Sequence, residues 1–162
     1  MAPGPSLVTP GGELEAGIER GQIFSINGTF APFARLFLNA SLSYENSTVT
    51  TFANGSPTVV PYRGNVYTVL ANATWVVSQN TDAFLSYFYS AADYGQDNYA
   101  RGLPLGIEYQ RQTAQVGLTR HLGQNVSARL QYRLDYYNEP SSGGANNYIA
   151  HSIFGTLSFQ FR

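Results

Sequence analysis

His121 and His151 are the only two histidines, and His151 is followed by Ser152. A histidine beside a serine suggests a general base and the hydroxyl it could activate. The surrounding residues alternate in polarity like a β-strand, and neighbours on a strand point to opposite faces. His151 and Ser152 therefore cannot act on each other. His121 falls in a predicted turn, and two histidines so far apart make poor metal ligands. There is no cysteine, so thiolate chemistry and disulfides are excluded. Gly102, Gly106, Gly123 and Gly155 form no phosphate-binding spacing. The expectation is a protein that is not an enzyme and has no cofactor and no metal.

The remaining chemistry is charge on one strand face. Arg129, Arg133 and Asp135 share a parity, with Glu45 and Glu108 as candidate neighbours. Lining a channel, such side chains tune ion selectivity. In a small closed barrel the same residues fill the interior. Both readings stand at this level. Six Asn-x-Ser/Thr triplets begin at Asn27, Asn39, Asn46, Asn54, Asn72 and Asn125. A polar strand face of Asn, Ser and Thr generates that triplet automatically, so glycosylation is not needed to explain it.

The elements that hold these residues repeat as strand, short turn, strand, long polar loop. Residues 22–30 pair with 35–46 across 31–34, and 65–77 with 83–91 across 78–82. Residues 105–120 pair with 126–137 across 121–125, and the last strand covers 149–162. Loops are expected at 47–62, 93–102 and 138–147. The cleanest alternation is Val126, Ala128, Leu130, Tyr132, Leu134 and Tyr136 against Ser127, Arg129, Gln131, Arg133 and Asp135. Ile107 and Tyr109 fall out of phase with Ala114, Val116 and Leu118, which predicts a bulge or an extension near Arg111. Seven strands result. Residues 13–20 are the one candidate for an eighth, and residues 1–12 read as a flexible Pro/Gly-rich lead. The expected organisation is that lead and one domain over 13–162.

Composition bears on what surrounds the sheet. Charged residues are 12% of 162, net charge is −1, and every basic side chain other than histidine is arginine. That is too neutral for nucleic-acid binding. Aromatic residues reach 14%. Were the apolar rows a soluble core, the surface would be Ser, Thr, Asn and Gln with unusually few charges. A lipid-spanning barrel needs the reverse: apolar rows facing lipid and polar rows facing the lumen. On that reading Asn39, Ser41, Glu45, Asn72, Arg129, Gln131, Arg133 and Asp135 line the lumen. Phe30, Tyr44, Tyr67, Trp75, Tyr89, Tyr132, Tyr136 and Phe161 form an aromatic girdle. The start of the chain has no basic and apolar segments of a secretory signal.

The hairpin rhythm and the final strand, with Ile153, Gly155, Leu157, Phe159 and Phe161 at every second position, resemble bacterial outer-membrane β-barrel proteins. The long tyrosine-rich strands are similar to the C-terminal part of larger porin-like barrels, including those that sheathe multihaem cytochromes. This resemblance implies an all-β, antiparallel up-and-down transmembrane barrel, or the C-terminal portion of one, in the outer membrane. It implies a passive porin-like channel or scaffold for small hydrophilic solutes. Implied partners are outer-membrane lipids, the barrel-assembly machinery that reads Ile153, Leu157, Phe159 and Phe161, further strands or oligomer partners, and a periplasmic or cytochrome partner. The rivals are a closed eight-stranded barrel acting through its loops, and a soluble lipocalin-like ligand-binding barrel.

Overall fold

The computed structural model describes residues 15–53, 56–57, 62–96 and 106–160. They form one antiparallel sheet. Its seven long strands are β1 (Glu15–Phe33), β2 (Leu36–Ala53), β4 (Tyr62–Ser78), β5 (Thr81–Gln96), β6 (Gly106–His121), β7 (Val126–Asn138) and β8 (Tyr148–Phe159). The two-residue β3 (Ser56–Pro57) pairs with the end of β2. The order is β1-β2-β4-β5-β6-β7-β8, an up-and-down meander in which each long strand lies beside its sequence neighbours. Among the described residues the only helical piece is a 3-10 turn at Pro140–Ser142. Among the described residues the sheet is not closed: β1 pairs with β2 alone, and β8 with β7 alone.

Local sequence explains the turns and strand lengths. At the first turn Ala34 and Arg35 suffice, because the register shifts between Phe30 and Phe33 and the extra residues form a bulge. Pro32 sits in that bulge, where its missing N–H breaks no regular ladder. Gln79 and Asn80 make the second turn, again with a register shift beside it, between Val76 and Ser78. The strands outrun the expected boundaries. The segment expected as a loop after Asn46 continues β2 through Ala53, where Thr48, Val49, Thr50 and Thr51 favour extended backbone.

Two expectations change. Glu15–Arg20 is not a separate eighth strand; it is the first third of β1, paired without a turn against Phe52–Thr48. No turn residue interrupts Ile18-Glu19-Arg20, and Gly21 fits within the strand. Glu13, the lead at 1–12 and Phe161 lie outside the described residues. No bulge forms at Arg111 either: the register of β6 with β5 and β7 is unbroken there. Ile107 and Tyr109 share the parity of Arg111, and β6 extends straight past it.

The register aligns the parities across the whole sheet. One row runs Phe30–Leu38–Ala73–Leu85–Val116–Tyr132–Ile153. On the other face a row runs Thr29–Asn39–Asn72–Ser86–Gln115–Arg133–Ser152. The few buried side chains lie on the polar face, over β5–β7, while over β1 and β2 the same face is open, with Ile23 69% exposed. Ser90 and Asp135 are buried on β5 and β7, and so is Ala92, the one buried hydrophobic side chain among the described residues. Among the described residues no second layer covers either face, so the burial over β5–β7 reflects a curl of the sheet toward its polar side there. The apolar face is left open, with Ile26 and Ile153 each 74% exposed and Leu85 53%. A soluble domain gains about 1.5–3 kcal/mol for each large apolar side chain it buries. This sheet has no such core.

The apolar band on the outer face is slanted. Its upper edge is Phe24 on β1 but Ala114 on β6, below the outward Gln110 and Gln112. Ala114 shares a row with Gly28, so the edge falls 28 − 24 = 4 residues over four strand intervals. The lower edge is Phe33 on β1, whose row reaches Gly155 on β8, where the band continues to Phe159. That is 159 − 155 = 4 residues over six intervals. At about 3.3 Å per residue and about 4.8 Å per strand, the slant is about 25–35°.

Candidate functional site

The eight residues expected to line a lumen, Asn39, Ser41, Glu45, Asn72, Arg129, Gln131, Arg133 and Asp135, share the polar face; Asp135 is buried, while Asn39 and Arg129 are exposed. The register brings together a group that strand parity could not assemble. Arg133 and Asp135 are two apart on β7, and Thr113 of β6 stands directly opposite Asp135. Arg133 Nη2 donates to Asp135 Oδ1 at 2.8 Å, and Thr113 Oγ1 donates to the same oxygen at 2.7 Å. Arg133 Nε lies 2.7 Å from Oδ2, but its N–H points off that axis. Arg111 joins from β6, its Nη2 3.7 Å from Oδ1. One buried carboxylate thus faces two guanidiniums, and the group carries a net positive charge. Arg111 Nε is buried and donates to no protein atom, so a donor remains for water or an anion.

Arg129 is placed differently. Its guanidinium lies 4.0 Å from the centroid of the Phe84 ring, a cation–π contact. Phe84 can occupy that position because its cross-strand neighbour is Gly117. A Cβ at Gly117 would come within 2.5 Å of Phe84 Cζ and 2.7 Å of the Leu130 carbonyl oxygen. Gly117→Ala is therefore expected to push the ring from under Arg129 and to cost about 1–3 kcal/mol. A urea titration of the folded protein checks this; an unshifted midpoint counts against the packing. Lower on the same face, His121 Nε2 lies 3.8 Å from Asp82 Oδ2.

At the other end of the wall Tyr137 stacks between Tyr109 and Tyr148, with centroids at 5.8 and 5.3 Å. The Tyr137 hydroxyl donates to Glu139 Oε2 at 2.9 Å, which ties the stack to the loop after β7. That loop is pinned by Asn147, which accepts from the Glu139 N–H at 2.7 Å. Gly143 and Gly144 supply its left-handed turn, with φ of 64° and 87°.

Glu108 does not join the charge group. It has the parity of Gln110 and lies on the outer face, opposite Asp93. Glu45 is on the polar face, but on β2, far across the sheet from Asp135. Phe30, Tyr44, Tyr67, Trp75, Tyr89, Tyr132 and Tyr136 all have the outer parity, as do Ile153, Leu157 and Phe159. Tyr44 and Tyr67 stack at 4.8 Å at the upper edge of the band. His151 is outward and Ser152 inward, as strand geometry requires. His151 Nδ1 is 2.6 Å from the Tyr132 hydroxyl, an interstrand hydrogen bond on the outer face with no nucleophile beside it.

Sequence reasoning missed Arg111, Thr113, Phe84 and Gly117. Only the out-of-phase stretch around Arg111 gave a signal. No family model matches this chain, and no curated protein or solved structure is significantly similar to it.

Proposed function

We propose that this chain forms part of the wall of an outer-membrane β-barrel that serves as a passive pore or scaffold for small hydrophilic solutes. The observation that carries this reading is the inverted amphipathicity of a single-layer sheet. Its apolar face is open, its few buried side chains lie on the polar face, and no hydrophobic core exists among the described residues. In a lipocalin-like barrel the apolar rows would be inside. The slant of the band approaches the roughly 35–45° strand tilt of transmembrane barrels. On β2 the band covers Leu36 to Tyr44, roughly 27 Å along the strand and about 23 Å once tilted, close to the height of a lipid-facing belt.

The polar wall then meets the solute. Its Asn, Ser, Thr and Gln side chains replace part of a solute's hydration. The excess of guanidinium over carboxylate in the Arg111–Arg133–Asp135 group biases passage towards anions at that height, whereas lower on the same face Arg129 is balanced by Asp82 in its row. Arg129→Ala with Arg133→Ala should weaken anion preference in planar-bilayer recordings. Unchanged reversal potentials would sink the assignment.

A further inference from the structure

We propose that the outer face of β1, β2 and β4, directly above the apolar band, binds the phosphorylated headgroup of a membrane lipid. This rests on the membrane reading above. The band ends here at Phe24, Tyr44 and Tyr67. The next outward row is Gln22, Asn46 and Asn65, and the row beyond it is Arg20, Thr48 and Arg63. Both guanidiniums are exposed, and among the described residues neither has an ion-pair partner. They stand on alternate strands, about 10 Å apart across two strand spacings. An open depression of about 790 Å³ runs along Arg20, Gln22, Asn46 and Thr48.

The row beneath is prearranged. Tyr44 Oη and Asn46 Nδ2 both donate to Asn65 Oδ1, at 2.9 and 2.7 Å, which fixes that amide between the two arginines and the band. Arginine forks match phosphate oxygens bidentately. Acyl chains lying on the band below would hold a headgroup at this height. Negative charge limits the site laterally. Asp93 and Glu108 continue the polar row towards β6, and Glu19 borders the depression from the opposite parity. Phosphate is thereby confined to the β1–β2–β4 side. At the short-turn end the outward guanidinium of Arg120 has no such companion in its row, which continues to Ala128.

The test uses the full chain folded in detergent and titrated with phosphatidic acid or with phosphatidylcholine of the same acyl chains, read by native mass spectrometry. The wild type should retain phosphatidic acid at least about tenfold better than the variant carrying Arg20→Gln and Arg63→Gln. Arg120→Gln should bind as the wild type does. Equal retention by the double variant overturns the site. Displacement of the lipid by excess inorganic phosphate overturns the lipid assignment in favour of a free anion. Flotation with pure phosphatidylcholine vesicles tests the underlying reading separately. Both proteins should float, and failure of both would remove the membrane reading and this proposal with it.

Discussion

Leu85→Arg should nearly abolish folding into lipid vesicles, whereas Ser86→Arg, one residue along the same strand, should leave it almost intact. Leu85 points out of the apolar band and is half exposed. A guanidinium there would sit in hydrocarbon at a cost of about 2–4 kcal/mol near the midplane. That corresponds to about 30- to 1,000-fold in the folding equilibrium. Ser86 points to the polar wall, between Asn72 and Gln115. Two guanidiniums lie nearby on its face, Arg133 two strands away in its row and Arg129 over the neighbouring Phe84 ring, and like-charge repulsion from them in a hydrated interior is about 1 kcal/mol. Trp75, the one tryptophan, lies in the outward band and reports insertion by its fluorescence. A soluble barrel with an apolar core would give the same ranking, with Leu85→Arg a lethal core change and Ser86→Arg a harmless surface change. Discrimination therefore comes from the solvent. Folding of the wild type in buffer without lipid or detergent, or indifference of vesicle folding to Leu85→Arg, overturns the membrane reading.

Parity was the legible part of this chain. Each residue of β7 from Val126 to Tyr136 alternates cleanly, and one strand with a firm parity fixes the faces of its neighbours once they pair. Strand ends were less legible, because β-branched polar residues such as Thr48, Thr50 and Thr51 suit a solvated loop and a strand extension equally. The same ambiguity hid Glu15–Arg20, whose short alternation looked like a separate strand when it was the start of β1. The charge group was legible only along β7. That Arg111 and Thr113 meet Asp135 follows from the pairing of Thr113 with Asp135, and register depends on turn geometry that the sequence specifies loosely. Gly117 gave no signal at all. Its role depends on Phe84, 33 positions earlier, lying opposite it.

Refolding the 162 residues in detergent and comparing unheated with boiled electrophoretic mobility should give no fast-migrating monomer. β1 and β8 are the first and seventh members of an alternating sheet, so they run in the same direction. Direct closure between them would be parallel, unlike every other pair of strands. Antiparallel closure needs an odd number of further strands. Until they are supplied, one side of β1 and one side of β8 carry backbone N–H and C=O groups without strand partners among the described residues. In hydrocarbon each such group costs several kcal/mol, which no side-chain packing on this coreless sheet can offset. Two copies inserted with the same orientation do not escape the problem, since β8 of one against β1 of the other is again parallel. The expected product is therefore a set of folded higher oligomers whose edges pair antiparallel, β1 against β1 and β8 against β8. A monomer that migrates fast before boiling and slowly after it would mean that the edges have met. The polar face would then surround a narrow interior, with Arg111, Arg133 and Asp135 packed against the wall opposite. Those residues would act as filling, and solute passage through this sheet would be lost as an explanation of its polar face.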